Sequence, residues 1–266
     1  MNKTEHDAAS FQDAEGQYVA EAQPGLPEVS LVVPVHNEAP IIEGSIRELH
    51  ARTLRYIRRP FEIIIAENGS RDETFAIAEE VARDLPEVRL LRLPEPNYGA
   101  ALRMGIMASR GKYIHCDEID ICDVDFHRRA LELLVGEDGG FDLVVGSKTM
   151  HGARDRRPVG RRLATRVLNG ALRASLGFHG TDTHGLKAFR RQALLPVVES
   201  CVVDRDMFAS ELVIRAERVG KRIVEIPLNL QEKREPSIRL TRRVPRVIRN
   251  LGQLVWVIRV KGSWSS

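Results

Sequence analysis

Residues 29–38 read VSLVVPVHNE, an apolar, largely β-branched run (Val29–Val35) that breaks into the polar His36, Asn37 and Glu38. A short apolar run closed by polar residues predicts a strand buried on both faces. Outward from it the pattern repeats. Ala39–Arg55 has helical spacing at Ile42, Ile46 and Leu49, and Phe61–Ala66 is a second apolar run, followed by the turn residues Asn68, Gly69 and Ser70. Thr74–Leu85 predicts a helix, Val88–Leu93 a strand, Tyr98–Ser109 a helix and Tyr113–Cys116 a fourth strand. Phe126–Leu134 then reads as a helix and Leu143–Gly146 as a fifth strand. Strands alternating with helices predict an α/β fold with a mainly parallel sheet flanked by helices.

The 266 residues, 43% hydrophobic and 29% charged, suit one large globular domain with an appendage. Three cysteines (Cys116, Cys122, Cys201) form no CxxC pair. A disulfide framework or zinc site is therefore not expected, and a reducing cytosol is the natural compartment. Residues 1–27 are acidic and unpatterned, ending in Pro24, Gly25 and Pro27, and read as a disordered tail. Net charge is only +3, yet the chain from Arg154 onward is rich in arginine, which suits nucleic acid, anionic lipid or a phosphorylated substrate. Aromatics make up 5% and do not interleave with the arginines, so no nucleic-acid partner is expected. No signal peptide and no apolar run of about 18 residues is apparent.

Sheets of this kind bind ligands at the carboxyl ends of their strands. The first strand ends in Pro34-Val35-His36-Asn37-Glu38, the second in Glu67-Asn68-Gly69-Ser70-Arg71-Asp72, and the fourth in Asp117-Glu118-Ile119-Asp120. Glu67 suits a ribose diol or a base N–H. The Asp117–Asp120 cluster suits a hard divalent cation, which takes oxygen ligands and bridges phosphates. Each segment also has a plain reading: Asn68–Asp72 as a turn and helix cap, Asp117–Asp120 as a solvated loop. Their convergence on one sheet edge favours a ligand site.

Six ordered segments, VPVHNE, ENGSRDET, NYGAALRMGIMASRGKYI, DEID, VVGSK and DTHGLKAFRR, make the chain similar to family-2 glycosyltransferases of the GT-A fold, in the dolichyl-phosphate mannosyltransferase-like branch. The resemblance spans Val29 to Arg239 and implies a GT-A domain at 28–239. Pro34, His36 and Glu38 would line the nucleotide pocket, with Ile65 and Glu67 holding base and ribose; Glu67 stands where the family usually has Asp. Glu118-Ile119-Asp120 falls on the family's metal-binding Asp-x-Asp. That makes Glu118 and Asp120 the implied ligands of Mg2+ or Mn2+, with Ile119 beside the nucleotide and Asp117 as the alternative first ligand. Asp123-Val124-Asp125 has the same form further along. Lys148 replaces the family's phosphate-facing arginine, and lysine lacks the bidentate fork. Arg161 and Arg234 would also face phosphate, with Arg162 and Arg239 as neighbouring counterparts. Asp182 falls on the family's acceptor-side segment, and Asp206 and Glu211 on the helix before its last strand.

The implied reaction is inverting displacement at the anomeric carbon of a GDP- or UDP-sugar. A hydroxyl acceptor needs a base, for which Asp182 or Asp206 are candidates. A lipid phosphate acceptor needs none. Residues 240–266 contain an amphipathic stripe (Val244, Val247, Ile248, Leu251, Leu254, Val255, Ile258) with arginines off it. Such a helix either lies on a membrane surface or packs on its own domain. The expected location is cytoplasmic, peripheral at the inner face of the cell membrane in the first case. The competing reading is a non-catalytic nucleotide-sugar-binding module.

Overall fold

The computed structural model of the chain describes residues 11–12, 18–19, 26–136, 140–148, 150, 154–155, 159–183, 185–204, 207–230 and 240–259. Seven strands form one sheet: β1 (Val29–Val35), β2 (Phe61–Asn68), β3 (Val88–Leu93), β4 (Tyr113–Cys116), β5 (Leu143–Ser147), β6 (Lys187–Arg190) and β7 (Ile223–Pro227). Their order is β7-β5-β6-β4-β1-β2-β3. Neighbours are parallel except at β6, which runs antiparallel to both β4 and β5. Two further pairs are short: Phe11–Gln12 with Tyr18–Val19, inside the segment read as a tail, and Arg154–Asp155 with Asn229–Leu230.

Every position of β1 and β2 is buried, which is why both read as mainly apolar runs without alternation. Alternation divides their side chains between two layers. Leu31, Val33, Ile63 and Ile65 pack with Ile42, Ile46 and Leu49 of α1 (Ile42–Tyr56), Ala78 and Val81 of α2 (Thr74–Asp84), and Phe126, Ala130 and Leu134 of α4 (Val124–Val135). Val32, Ile64 and Leu91 face Leu102 and Ile106 of α3 (Tyr98–Ala108). That second layer continues through α5 (Val159–Leu176), α6 (Arg191–Ser200), α7 (Phe208–Arg218) and α8 (Leu240–Arg259). Each fully buried Ile or Leu stabilises the fold by roughly 1.5–3 kcal/mol.

At the start of β2 the buried Glu62 gathers three groups. Its Oε1 accepts from Ser30 Oγ at 2.6 Å and Arg110 N–H at 2.7 Å, its Oε2 accepts from Arg89 Nη1 at 2.6 Å, and Ser30 Oγ in turn accepts from Gly111 N–H at 2.8 Å. This cluster ties β1, β2, β3 and the entry to β4 together at the amino end of the sheet.

The second half of the C-terminal stripe packs on its own domain: Leu254 and Ile258 are buried in the second layer, with Leu251 and Val255 against it. Arg218 fixes the arrangement, donating to Leu176 O at 3.0 Å and Ile258 O at 3.3 Å, the carbonyl ends of α5 and α8. A cation at two helix C-termini meets both orphan carbonyls and the negative dipole end. Trp256 remains half exposed. Among the described residues no helix is long and apolar enough to cross a membrane.

Candidate active site

The chain lays down β1, β2 and β3 in one direction, then returns to place β4 on the other side of β1. The loops leaving β1 and β4 therefore separate at a switch point, the crevice where open α/β sheets bind ligands. The reversal at β6 adds to it. Lys187, the first residue of β6, is in register with Cys116 at the end of β4 and with Val145 of β5, so the segment ahead of β6 reaches the same edge.

On the β2 side, Glu67 is fully buried. Its Oε1 accepts from Ser70 N–H at 2.5 Å, while Oε2 has no hydrogen-bond partner and lies 3.6 Å from Arg92 Nε. Arg92 stacks 4.1 Å over the Phe75 ring. The loops after β1 and β2 are tied to one another. His36 Nδ1 donates to Asn68 O at 2.8 Å, which leaves Nε2 to accept from Asn37 Nδ2 at 3.0 Å. Asn37, at φ +55°, accepts from Arg71 N–H at 2.9 Å. Glu38, 6% exposed, donates its N–H to Thr74 Oγ1 at 2.7 Å. Gly69 has φ +64°, and a Cβ there would stand 2.9 Å from Pro96 N, so only glycine fits this turn.

Across β1, the acid loop is held from within. Asp117 N–H donates to Val32 O at 2.9 Å, and Glu118 O accepts from Ile121 N–H at 2.9 Å and Cys122 N–H at 3.1 Å. Glu118 keeps 31% of its side chain exposed and lies 3.5 Å from Lys148 Nζ. Asp120 is partly exposed beside it in sequence. The Tyr98 phenol, at the start of α3, is pushed well up by burial first and then by Glu118, Cys116, Asp120 and Asp117. Of the whole residue, 39% is exposed. Lys187 is buried and donates to Gly185 O at 2.7 Å. Burial lowers its ammonium pKa, against the opposing pull of Cys116, Asp182 and Glu118. Burial also pushes the Cys116 thiol up to about 12.

Asp182 is fully buried, and its Oδ2 accepts from Lys148 N–H at 3.1 Å. Glu225 of β7 holds this loop from below: its Oε1 accepts from the N–H of Thr181 at 2.6 Å and of Asp182 at 3.3 Å, and its Oε2 from Thr181 Oγ1. Gly185 must be glycine, since a Cβ there would lie 1.5 Å from Gly146 O.

The edge thus gathers Glu38, His36, Glu67, Glu118, Asp120, Lys148 and Asp182. Pro34 is buried within β1, opposite Ala66, and frames the edge from below. The side chains of Ile65 (0% exposed) and Ile119 (5%) are enclosed in the α1/α2/α4 layer, which leaves their backbone to face the edge. Asp123 is the N-cap of α4, accepting from Phe126 N–H at 3.0 Å, and Asp125 pairs with Arg128 and Arg129 on the helix surface. That accounts for the second Asp-x-Asp. Glu211 pairs with Arg215 at 2.6 Å and caps Val202 and Val203 N–H, a structural role. Asp206, Arg234 and Arg239 lie outside the described residues, as do the side chains of Arg161 and Arg162. Sequence reading missed Arg92, whose only signal was a charge inside an apolar strand, and Glu225, whose partners are about 44 residues away.

His115, in the core strand beside the acid loop, gives a pH test. Burial, and then His127, pull its pKa well below 6.5. The unfolded chain takes up this proton below about pH 6.5 and the folded chain does not. Stability is therefore fully present above that pH and is lost as pH falls below it, at up to about 1.4 kcal/mol per pH unit for one proton. Urea unfolding of the wild type and His115→Val at pH 7.5, 6 and 5 should show a shallower decline in the variant; equal slopes would contradict the assignment.

A mostly parallel sheet with carboxylates and buried lysines at its switch point defines an α/β protein built to hold a phosphorylated ligand. The comparisons agree. Residues 30–196 match the family described as Glycosyl transferase family 2, and the chain belongs to that family. It is 31% identical over 223 residues to the glycosyltransferase AglD of Haloferax volcanii, covering 82% of this chain and 35% of that protein. It is 27% identical over 219 residues to a dolichyl-phosphate beta-glucosyltransferase of Trichomonas vaginalis, covering 77% of this chain and 66% of that one. To polyprenol monophosphomannose synthase of Mycolicibacterium smegmatis the identity is 29% over 212 residues, with 76% and 77% covered. The chain thus spans 35% and 66% of the first two relatives. In fold it is similar to glucosyl-3-phosphoglycerate synthase of Mycobacterium tuberculosis, solved with Mn2+, UDP-glucose and phosphoglyceric acid, at TM-score 0.64 and 21% identity over 86% of this chain and 80% of that one. The expected GT-A fold is thereby established.

Proposed function

We propose that the chain is an inverting glycosyltransferase that moves a sugar from a nucleoside-diphosphate sugar to a polyprenyl phosphate. One observation carries the reading: the buried Oε2 of Glu67, which receives no hydrogen bond and has only Arg92 at 3.6 Å, shares a sheet edge with Glu118, Asp120 and the buried Lys148 and Lys187. Glu67 accepts from the ribose or base of GDP or UDP, in a pocket framed by Pro34, His36 and Glu38. Among the described residues no three His, Cys, Asp or Glu side chains are placed to enclose a metal unaided. Glu118 and Asp120 fit Mg2+ or Mn2+ as a pair of hard oxygen donors whose shell is completed by diphosphate and water. Such an ion supplies charge neutralisation on the departing nucleoside diphosphate. Lys148 and Lys187 add fixed positive charge where that negative charge develops, and Arg161 and Arg234 are proposed to extend it.

The acceptor follows from Asp182. A hydroxyl nucleophile needs a base open to it, and Asp182 is enclosed, with Oδ2 on Lys148 N–H. A phosphate brings its own charged oxygen and needs cations instead, which this edge has. The relatives named for dolichyl phosphate and polyprenol monophosphate point the same way. Work at the inner face of the membrane then rests on the acceptor, because the apolar stripe from Leu251 onward covers the protein itself. Asp206 remains the proposed base for a hydroxyl acceptor.

The test is a transfer screen of UDP- and GDP-sugars with Mn2+ or Mg2+, with and without polyprenyl phosphate. Lipid-linked sugar is the expected product. Nucleotide-sugar binding with no transfer or hydrolysis for any donor would make the chain a non-catalytic binding module. For the pocket itself, Glu67→Gln replaces the free acceptor oxygen with a donor. Its affinity for the preferred nucleotide should fall about tenfold or more by calorimetry with little change in melting temperature, because a mismatched buried polar group costs about 1–3 kcal/mol. Unchanged affinity for both UDP and GDP would place the ribose and base elsewhere.

A further inference from the structure

We infer that Asp117, His127 and His115 form a buried positioning relay that sets the Glu118–Asp120 loop, with Asp117 acting through the loop and not as a ligand of the bound ion. The inference rests on the metal site proposed above and assigns roles to three residues beneath it.

Both oxygens of Asp117 are committed. Oδ1 accepts from Glu118 N–H at 2.7 Å, and Oδ2 accepts from His127 Nε2 at 2.6 Å. That nitrogen must carry a proton to reach the carboxylate, and on the other side of the ring His127 Nδ1 lies 3.0 Å from His115 Nδ1, the two nitrogens sharing one proton. The hydrogen bonds run in one chain, from His115 on β4, through His127 on α4, to Asp117 at the mouth of the loop. The far end, His115 Nε2, has no partner. The two rings meet edge to face, with centroids 5.0 Å apart, and Phe126 closes the other side of His127 at 5.6 Å.

All three side chains are essentially sealed, at 1% exposure for Asp117 and 0% for both histidines. Burying a carboxylate and two imidazoles is costly unless every bond is made, and apolar residues of similar size usually serve a core as well or better. The fold gains little from this relay. The loop gains a fixed peptide: Asp117 holds the N–H of Glu118, and a helix-like turn closes over Ile119, so the carboxylates of Glu118 and Asp120 project from an immobile base. A pair of ligands on a pinned loop binds an ion with less ordering cost, as outer partners of metal ligands do elsewhere.

Mn2+ binding, followed by loss of the free-ion EPR signal with saturating UDP or GDP, tests this without requiring turnover. His127→Leu should weaken Mn2+ at least tenfold. Because that variant strands a buried carboxylate, the double variant Asp117→Leu/His127→Leu is run beside it; it removes both polar partners, is expected to stay folded by circular dichroism, and should lose the same affinity. His127→Gln supplies an N–H where Nε2 stood and should stay within about threefold of wild type. Asp117→Asn keeps the acceptor for Glu118 N–H while removing the charge, and should also stay within about threefold. The relay is overturned if the folded double variant binds Mn2+ as the wild type does, or if Asp117→Asn loses as much as Asp120→Asn, which would make Asp117 a ligand. Failure of the wild type to bind Mn2+ with either nucleotide would instead remove the metal site itself, and the relay's role with it.

Discussion

Replacing Asp120 with Asn is expected to lower sugar transfer about a thousandfold, a barrier increase of about 4 kcal/mol, while nucleotide affinity without metal changes only a fewfold. The two effects separate because the groups sit on opposite sides of β1. Glu67, proposed to hold base and ribose, lies at the end of β2 and keeps its bond to Ser70 N–H whatever happens at the acid loop. Asp120 follows β4 and contributes one of only two proposed protein ligands, so losing its charge leaves Glu118, itself 3.5 Å from Lys148. Asn is close in size and keeps an oxygen, so the loop should stand. Transfer that survived at wild-type rate would remove Asp120 from the chemistry; a chain that never transferred sugar would show nothing to lose. Steady-state rates at several Mn2+ concentrations, beside calorimetry with nucleotide alone, distinguish these outcomes.

Glu62→Ala is expected to cost about 3–5 kcal/mol of stability, a fall of about 10 °C in melting temperature for a chain of this size. Glu62 and Arg89 are 3% and 4% exposed. Removing the carboxylate leaves a buried guanidinium whose bond is to Ala108 O at 3.2 Å, with Nε already lacking a partner. It also frees Ser30 Oγ and Arg110 N–H. The double variant Glu62→Leu/Arg89→Leu should recover much of the loss, since it removes the unpaired charge. As the cluster lies at the amino ends of the strands, far from the ligand edge, activity per folded molecule at low temperature should remain near wild type. A loss below about 1 kcal/mol in urea titration would show that water or a neighbour takes over the guanidinium.

The strands most legible in the sequence are those buried on both faces. VSLVVPV and FEIIIAEN are continuous because helices cover both sides, and their polar ends are the loops that carry Glu38 and Glu67. What was illegible depends on partners distant in sequence. The strand Lys187–Arg190, KAFR, is short and bounded by charge, and its pairing is set by β4 and β5. Ile65 and Ile119 are assigned to the nucleotide by position along the chain, which does not reveal that their side chains pack in the core. In the acid loop, proximity in sequence suggests three candidate ligands and does not reveal that His127 and the Glu118 peptide take both oxygens of Asp117. His127 lies ten residues away on a helix, and no local spacing announces the contact.

The reversed strand β6 has a consequence for how such a protein changes its preferences. Groups proposed to hold the nucleotide leave the carboxyl ends of parallel strands, whereas Asp182, proposed to bear on the acceptor, arrives just ahead of the amino end of a strand running the other way. In the proposed reading, nucleotide and acceptor recognition are thus written in separate stretches of chain that meet at the edge. Exchanging the segment ahead of β6 for that of another family member should redirect what receives the sugar and leave the choice of nucleotide in place, a modularity that follows from the direction of a single four-residue strand.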